Sequence, residues 1–360
     1  MRLFLLKSST LLIILLLAGA LYAQEKAAPL TNQEFVQMVQ QIPRSAAVKE
    51  QLIEAIRQRG LGFTLTSGLR SLVATKSGND AELRRTLDEA ERRRANPAAS
   101  ALPPSAEGLA LWENARVAGE EAAEAMPDFT VKQIVNRYHS TGGLNNWNLD
   151  DRLTVAVSYR QEGSEDYKLL AINDVPYTKE SRDGRSSYAD AGGASSTGEF
   201  VSVLKAIFAP VSQTAFRMVD TDLLQGRRTL VYEYKVKTEN SQQRISAPSL
   251  TDRVIVTGFQ GRVWIDRETY RVLRLESIAL DIPADYPVTA ASRVIDYAPV
   301  KISEREYLLP VHADVQLAVR VGREKYYSRN DIRFRGYRKF GAEVRIIEDD
   351  DGPPPETKEP

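Results

Sequence analysis

From residue 30 to residue 94 the apolar positions recur at helical spacing. Thr31 and Glu34 stand at capping-box distance, and Phe35, Met38, Val39 and Ile42 follow on one stripe until Pro43 stops it. Ser45 starts a second helix with Val48, Leu52, Ala55 and Ile56 inward and Gly60 at its end. Leu61, Phe63 and Leu65 lead to a third helix carrying Leu69, Leu72 and Val73. Asn79 or Asp80 caps a fourth, with Leu83, Leu87 and Ala90 buried and Arg84, Arg85, Arg92, Arg93 and Arg94 expected in solvent. Residues 95–108, "ANPAASALPPSAEG", read as a linker, and Leu109–Met126 as one more helix.

At Phe129 the period changes from helical to strand-like. About eleven apolar-alternating stretches follow as far as Tyr337, with turns such as "NDVP" and "FQGR" and no regular helix between most of them. That pattern predicts a large antiparallel, meandering sheet. One amphipathic segment interrupts it. "SSTGEFVSVLKAIFAP" offers a Ser196/Glu199 capping box, a stop at Pro210, and Phe200, Val203, Leu204, Ile207 and Phe208 on one stripe. The strands themselves do not divide cleanly into a wet and a dry face. In "GRVWIDRETYRVLRLE" Val263 and Ile265 share one side, Trp264 takes the other, and Leu273 and Leu275 are two apart. A second apolar face needs a cover, and the helices at 109–126 and 196–208 are expected to supply it.

The first 23 residues carry Arg2 and Lys7, the aliphatic run Leu11–Leu17, and small residues at Ala18, Gly19, Ala20 and Ala23. This is the pattern of a secretory signal peptide cut after Ala20 or Ala23, with localisation expected in the bacterial periplasm or outside the cell. No later stretch is long and apolar enough to span a bilayer. There is no cysteine, so an exported chain of this kind relies on packing and not on disulfides. Without Arg2 and Lys7 the chain holds 46 basic and 48 acidic residues, which disfavours nucleic acid as a partner.

Candidate chemistry is sparse. The two histidines, His139 and His312, lie far apart in sequence, so neither a metal site nor a cofactor is expected. "GGASSTG" (192–198) is neither a nucleophile elbow nor a phosphate loop. Asp150-Asp151, Asp281 and Asp285 read as turn residues, and the acidic, proline-rich end 347–360 reads as disordered. In 323–340 Ile332 and Phe334 are expected inward and the arginines outward. A catalytic role is therefore not expected, although carboxylates on distant strands leave a hydrolase open.

Three stretches carry a family resemblance: "MPDFTVKQIVNRY" (126–138), "GRVWIDRETYRVLRLE" (261–276) and "SRVIDYAPVKISEREYLLPVHADVQL" (292–317). They resemble the periplasmic lipoprotein-carrier fold over about residues 109–346. The resemblance implies an α+β architecture, in which a small N-terminal helical domain precedes an open half-barrel with helices over its concave face. It also implies a lipid or acyl ligand lined by Phe200, Leu204, Ile207, Phe208, Trp264, Leu273 and Leu275, with the 196–208 helix as lid or plug. Residues 48–90, with "RGLGF" followed by two helices, resemble a small helical module of exported bacterial proteins, which implies an interaction role. The competing expectation is a scaffold or sensor that meets an envelope protein through residues 30–94 and has no small ligand.

Overall fold

The predicted helices and strands form in the expected order. The computed structural model describes residues 28–98, 101–141, 147–161, 163–178, 188–191, 199–200, 202–247, 250–322 and 324–340; the expected signal peptide, the Ser196 cap and the acidic tail lie outside them. At the N-terminus stand α1 (Asn32–Gln41), α2 (Ala46–Arg59), α3 (Ser67–Ser77) and α4 (Ala81–Ala95). Thr31 and Glu34 form the reciprocal capping box, and Thr66 and Asp80 cap α3 and α4 through their side chains. Leu30, Phe35, Val39, Leu52, Ile53, Ile56, Leu83 and Leu87 close a core of their own. The long helix α5 (Ser105–Glu124) begins four residues before Leu109, inside the expected linker, because Pro104 sits at its N-cap.

Thirteen strands follow among the described residues: β1 (Phe129–Ser140), β2 (Asn148–Tyr159), β3 (Glu165–Ile172), β4 (Val175–Pro176), β5 (Ala215–Leu224), β6 (Arg227–Val236), β7 (Arg244–Ala247), β8 (Thr251–Val256), β9 (Gly258–Asp266), β10 (Val272–Leu280), β11 (Val288–Ile302), β12 (Arg305–Val321) and β13 (Glu324–Lys339). Eleven of them make one antiparallel sheet in the order β4-β3-β2-β1-β13-β12-β11-β10-β9-β6-β5, which does not close. The remaining two form a separate ribbon, β7–β8, tied to the body by the Tyr286 hydroxyl, which donates to the carbonyls of Ile245 and Arg253.

The topology has a consequence for the trough. The first and last strands zip together near its middle, so the two free edges, β4 and β5, are consecutive in the chain. At about 4.8 Å per strand those edges lie roughly 48 Å apart along the sheet, and an open sheet of this width curls. Between β4 and β5 in the chain stands α6 (Ser202–Phe208). This helix is shorter than the expected 196–208 element. It and α5 occupy the concave side, where β1, β2, β3, β6, β9, β10, β11, β12 and β13 all contribute to one apolar core.

Bulges adjust which side chains face in. On β13 an extra residue opposite Thr130–Lys132 coincides with Gly336 at φ 68°, and it lets both Phe334 and Tyr337 reach Phe200 although they are three residues apart. On β10 the register slips between Val272 and Arg274. Val272 and Leu275 therefore face the concave core, while Leu273 and Arg274 go to the other side with Trp264.

Candidate functional site

The concave face is built around two aromatic groups held by the 199–208 strap. At one end Phe200 is buried against Phe129, Tyr159, Phe334 and Tyr337, with ring centroids 5.4–6.5 Å away. At the other end Phe208 meets Trp112 of α5 at 4.9 Å, and Trp112 stacks flat on Phe216 at 4.1 Å and tilts against Tyr232 at 5.4 Å. Gly108 lets α5 lie close to β5, where an added Cβ would stand 3.0 Å from the Met218 sulfur, and the Tyr232 hydroxyl donates to the Gly108 carbonyl. Ile207 is buried, while Val203 and Leu204 are half-buried against the same core. The strap is tied to the sheet by the Tyr297 hydroxyl, which donates to the Glu199 carbonyl at 3.2 Å, and by Thr214, which donates to the Ile207 carbonyl at 2.5 Å.

Of the seven expected lining residues, the structure brings five to this face: Phe200, Leu204, Ile207, Phe208 and Leu275. It separates the other two. Trp264 and Leu273 lie on the outer face with Leu224 and Val231. Their cover is not α5 or α6, as expected from sequence, but the N-terminal helices. The reason is alternation at Trp264 and the bulge at Leu273.

That outer contact is electrostatic. The indole N–H of Trp264 donates to Asp222 at 2.9 Å, and the guanidiniums of Arg57, Arg85 and Arg274 stand 5.5–5.9 Å from its ring. Arg85 pairs with Asp222 at 3.2 Å, Arg57 with Asp220 at 3.9 Å, Arg93 with Asp220, and Arg262 with Glu54 at 2.5 Å. Arg85, Arg92 and Arg93, expected in solvent, thus belong to a buried seam between α4 and β5. Arg92 pairs with the buried Glu89 at 2.6 Å, and Thr221 donates to Glu89 at 2.9 Å. A cavity of about 10 Å³ remains there, lined in part by Ile56, Glu89 and Trp264, which is room for one water molecule and not for an organic ligand.

The charged row continues along the outer face. Arg274 pairs with Glu276 and with Asp296, and His312 sits between Asp296 (3.3 Å) and Asp331 (2.8 Å). Hydrogen bonds to Asp296 and Asp331, against a burial penalty, raise the His312 pKa to about 9. Burial works to raise Asp296, but His312 and Arg274 outweigh it and hold the carboxyl at about 2. Both imidazole nitrogens therefore face carboxylates, an arrangement that fixes an imidazolium and leaves no lone pair for base catalysis. Among the described residues, no group of three or more His, Asp or Glu is placed to hold a metal ion.

Sequence reasoning missed one residue on the concave side. Gln133 lies between Val131 and Val135 on the inward register of β1, fully buried, and neither end of its amide meets a hydrogen-bond partner among the described residues. The signal was present as a polar residue interrupting the alternation Phe129, Val131, Val135. Nearby, the phenols of Tyr297 and Tyr337 are pushed up, chiefly by burial.

No family model matches the chain, and no curated protein matches it. Among solved structures it is similar to a DUF1329 family protein from Desulfovibrio piger, at 12% identity over 65% of this chain and 94% of that one, with a TM-score of 0.30. It is also similar to a putative outer membrane lipoprotein-sorting protein domain from Vibrio parahaemolyticus, at 12% identity, 65% and 94% coverage and a TM-score of 0.28. A third similarity is to MucB in complex with MucA(peri), at 9% identity, 62% and 93% coverage and a TM-score of 0.18.

Proposed function

We propose that this is a non-enzymatic, exported envelope protein that holds an acyl chain in the trough of its open sheet, with the 199–208 strap as a displaceable plug. The observation that carries this reading is the way the trough is filled. Its cover between the two sheet edges is a short helical segment whose hold is mainly three apolar side chains, Phe200, Ile207 and Phe208. An acyl chain offers the same kind of surface, so ligand and strap compete for one site. The acyl chain takes the place of Phe200, Leu204, Ile207 and Phe208 against Leu275, and against Trp112, Phe216 and Tyr232 on the α5 side. Trp264 and Leu273 are outside that site.

The rival reading, a partner protein held by residues 30–94, requires a free surface on the helical module. The Arg57, Arg85 and Arg93 side of that module is already engaged by Asp220 and Asp222 on the outer face of the sheet. No helix among the described residues is long and apolar enough to cross a membrane, which suits a ligand-holding body that works beside a bilayer.

The test uses full-length mature protein and methyl palmitate. A one-to-one complex in native mass spectrometry is expected. A change in Trp112 emission as the strap leaves is also expected, and it disappears in Trp112→Phe. Phe208→Ala, which loosens the strap without inserting a charge, binds more tightly than wild type. Absence of a complex together with unchanged emission overturns the proposal.

A further inference from the structure

We infer that Gln133 is the polar contact of this trough, selecting an uncharged acyl compound that carries an N–H or O–H donor beside its carbonyl. The inference rests on the trough being the ligand site, and it adds a chemical class to that reading. A glutamine amide has one acceptor oxygen and two N–H donors. Buried groups of this kind are nearly always paired in native proteins, so a fully buried amide with neither end satisfied among the described residues requires a reason.

Its surroundings point to a ligand. Gln133 stands in the register of Phe129, Val131 and Val135, and its cross-strand neighbours on the same face are Val155 of β2 and Phe334 of β13. Phe334 in turn meets Phe200, the first anchor of the strap, edge-on at 5.5 Å. The amide thus stands across the ladder from the residue on which the N-terminal anchor of the strap rests. An apolar chain alone leaves both amide ends unsatisfied. A plain ester satisfies the Nε2 donor through its carbonyl and leaves Oε1 without a partner. A primary amide, or a carbonyl with a hydroxyl beside it, satisfies both. A carboxylate presents no donor, and its charge is penalised in this apolar setting.

The experiment titrates full-length mature protein with three probes of equal chain length delivered from cyclodextrin: hexadecanamide, methyl palmitate and hexadecane. Trp112 emission and native mass spectrometry are the readouts. Wild type is expected to bind the amide about tenfold more tightly than the ester, and the ester more tightly than the hydrocarbon. In Gln133→Leu the three affinities converge, and the melting temperature of the ligand-free protein rises because the unsatisfied amide is gone. Gln133→Met, closer in shape, serves as a second variant and is expected to behave alike. Equal wild-type affinities for the three probes overturn the role of Gln133 and leave the trough reading intact. No binding of any probe overturns the trough reading itself. A fall in melting temperature in both variants, with all three probes weakened alike, makes Gln133 a structural residue and also overturns the inference.

Discussion

Gly261 shows how tightly single positions are specified in the sheet. It pairs with Tyr234 on one side and Ser277 on the other, and the Tyr234 hydroxyl donates to the Glu276 carbonyl at 2.8 Å. A Cβ at residue 261 would land on that same Glu276 carbonyl oxygen, a backbone atom that cannot step aside. Gly261→Ala should destabilise the protein by about 2–3 kcal/mol in urea unfolding, in the range of overpacked cores. His312 makes a second residue-scale prediction, and its sign follows from linkage. Its pKa is raised to about 9 in the fold, against about 6.5 when unfolded, so its stabilisation is complete below about pH 6.5 and gone above about pH 9. The melting-temperature gap between wild type and His312→Gln should be widest at pH 6 and close by pH 10. A gap that widens with pH would mean the imidazole is neutral in the fold. Asp296, Asp331 and Arg274 set that balance, together with Arg333, which is paired with His312 across the β12–β13 ladder.

Among the elements, what the sequence showed and what it hid have separate physical causes. Period and caps are local properties, so α1–α4, the run of strands and the inward placement of Ile332 and Phe334 were all legible in the chain. Which surface covers which is not local. Arg85, Arg92 and Arg93 lie on the polar side of α4 and look like solvent-facing residues until β5 presents Asp220 and Asp222 to them. Leu273 changes face because one residue is inserted in β10, and a bulge leaves no mark in an alternation pattern that already contains apolar residues on both sides. The seam can be tested directly. Asp222→Ala removes the acceptor shared by Arg85 and the Trp264 indole, leaving both partly or fully buried without it. Truncating one member of a buried charge cluster costs about 3 kcal/mol. The variant should release the helical module, seen as faster tryptic cleavage after Arg94 at the end of α4 and a red-shifted Trp264 emission. Unchanged cleavage would show that the module is held without these charges.

For the molecule as a whole, the two faces of the sheet are closed by different physics, and under the proposed function only one closure is open to competition by a lipid. The outer face is sealed by ion pairs around Trp264, which an acyl chain cannot replace. The concave face is sealed by the strap, held mainly by Phe200, Ile207 and Phe208. Burial of three such side chains is worth roughly 5–9 kcal/mol, and each buried methylene of a ligand returns about 0.8 kcal/mol. An acyl chain therefore needs about 6–11 buried methylenes to match the strap before it gains any affinity. A series of methyl esters from six to eighteen carbons should show no binding at the short end. Onset should fall near eight to twelve carbons, followed by a rise of roughly fourfold per added methylene until the trough is full. Phe208→Ala lowers the barrier and should move the onset two to three carbons shorter, while Asp222→Ala, acting on the far face, should leave it where it is. An affinity that climbs smoothly from the shortest ester, with no onset and no shift in Phe208→Ala, would mean that the chain binds elsewhere and the strap is simply core.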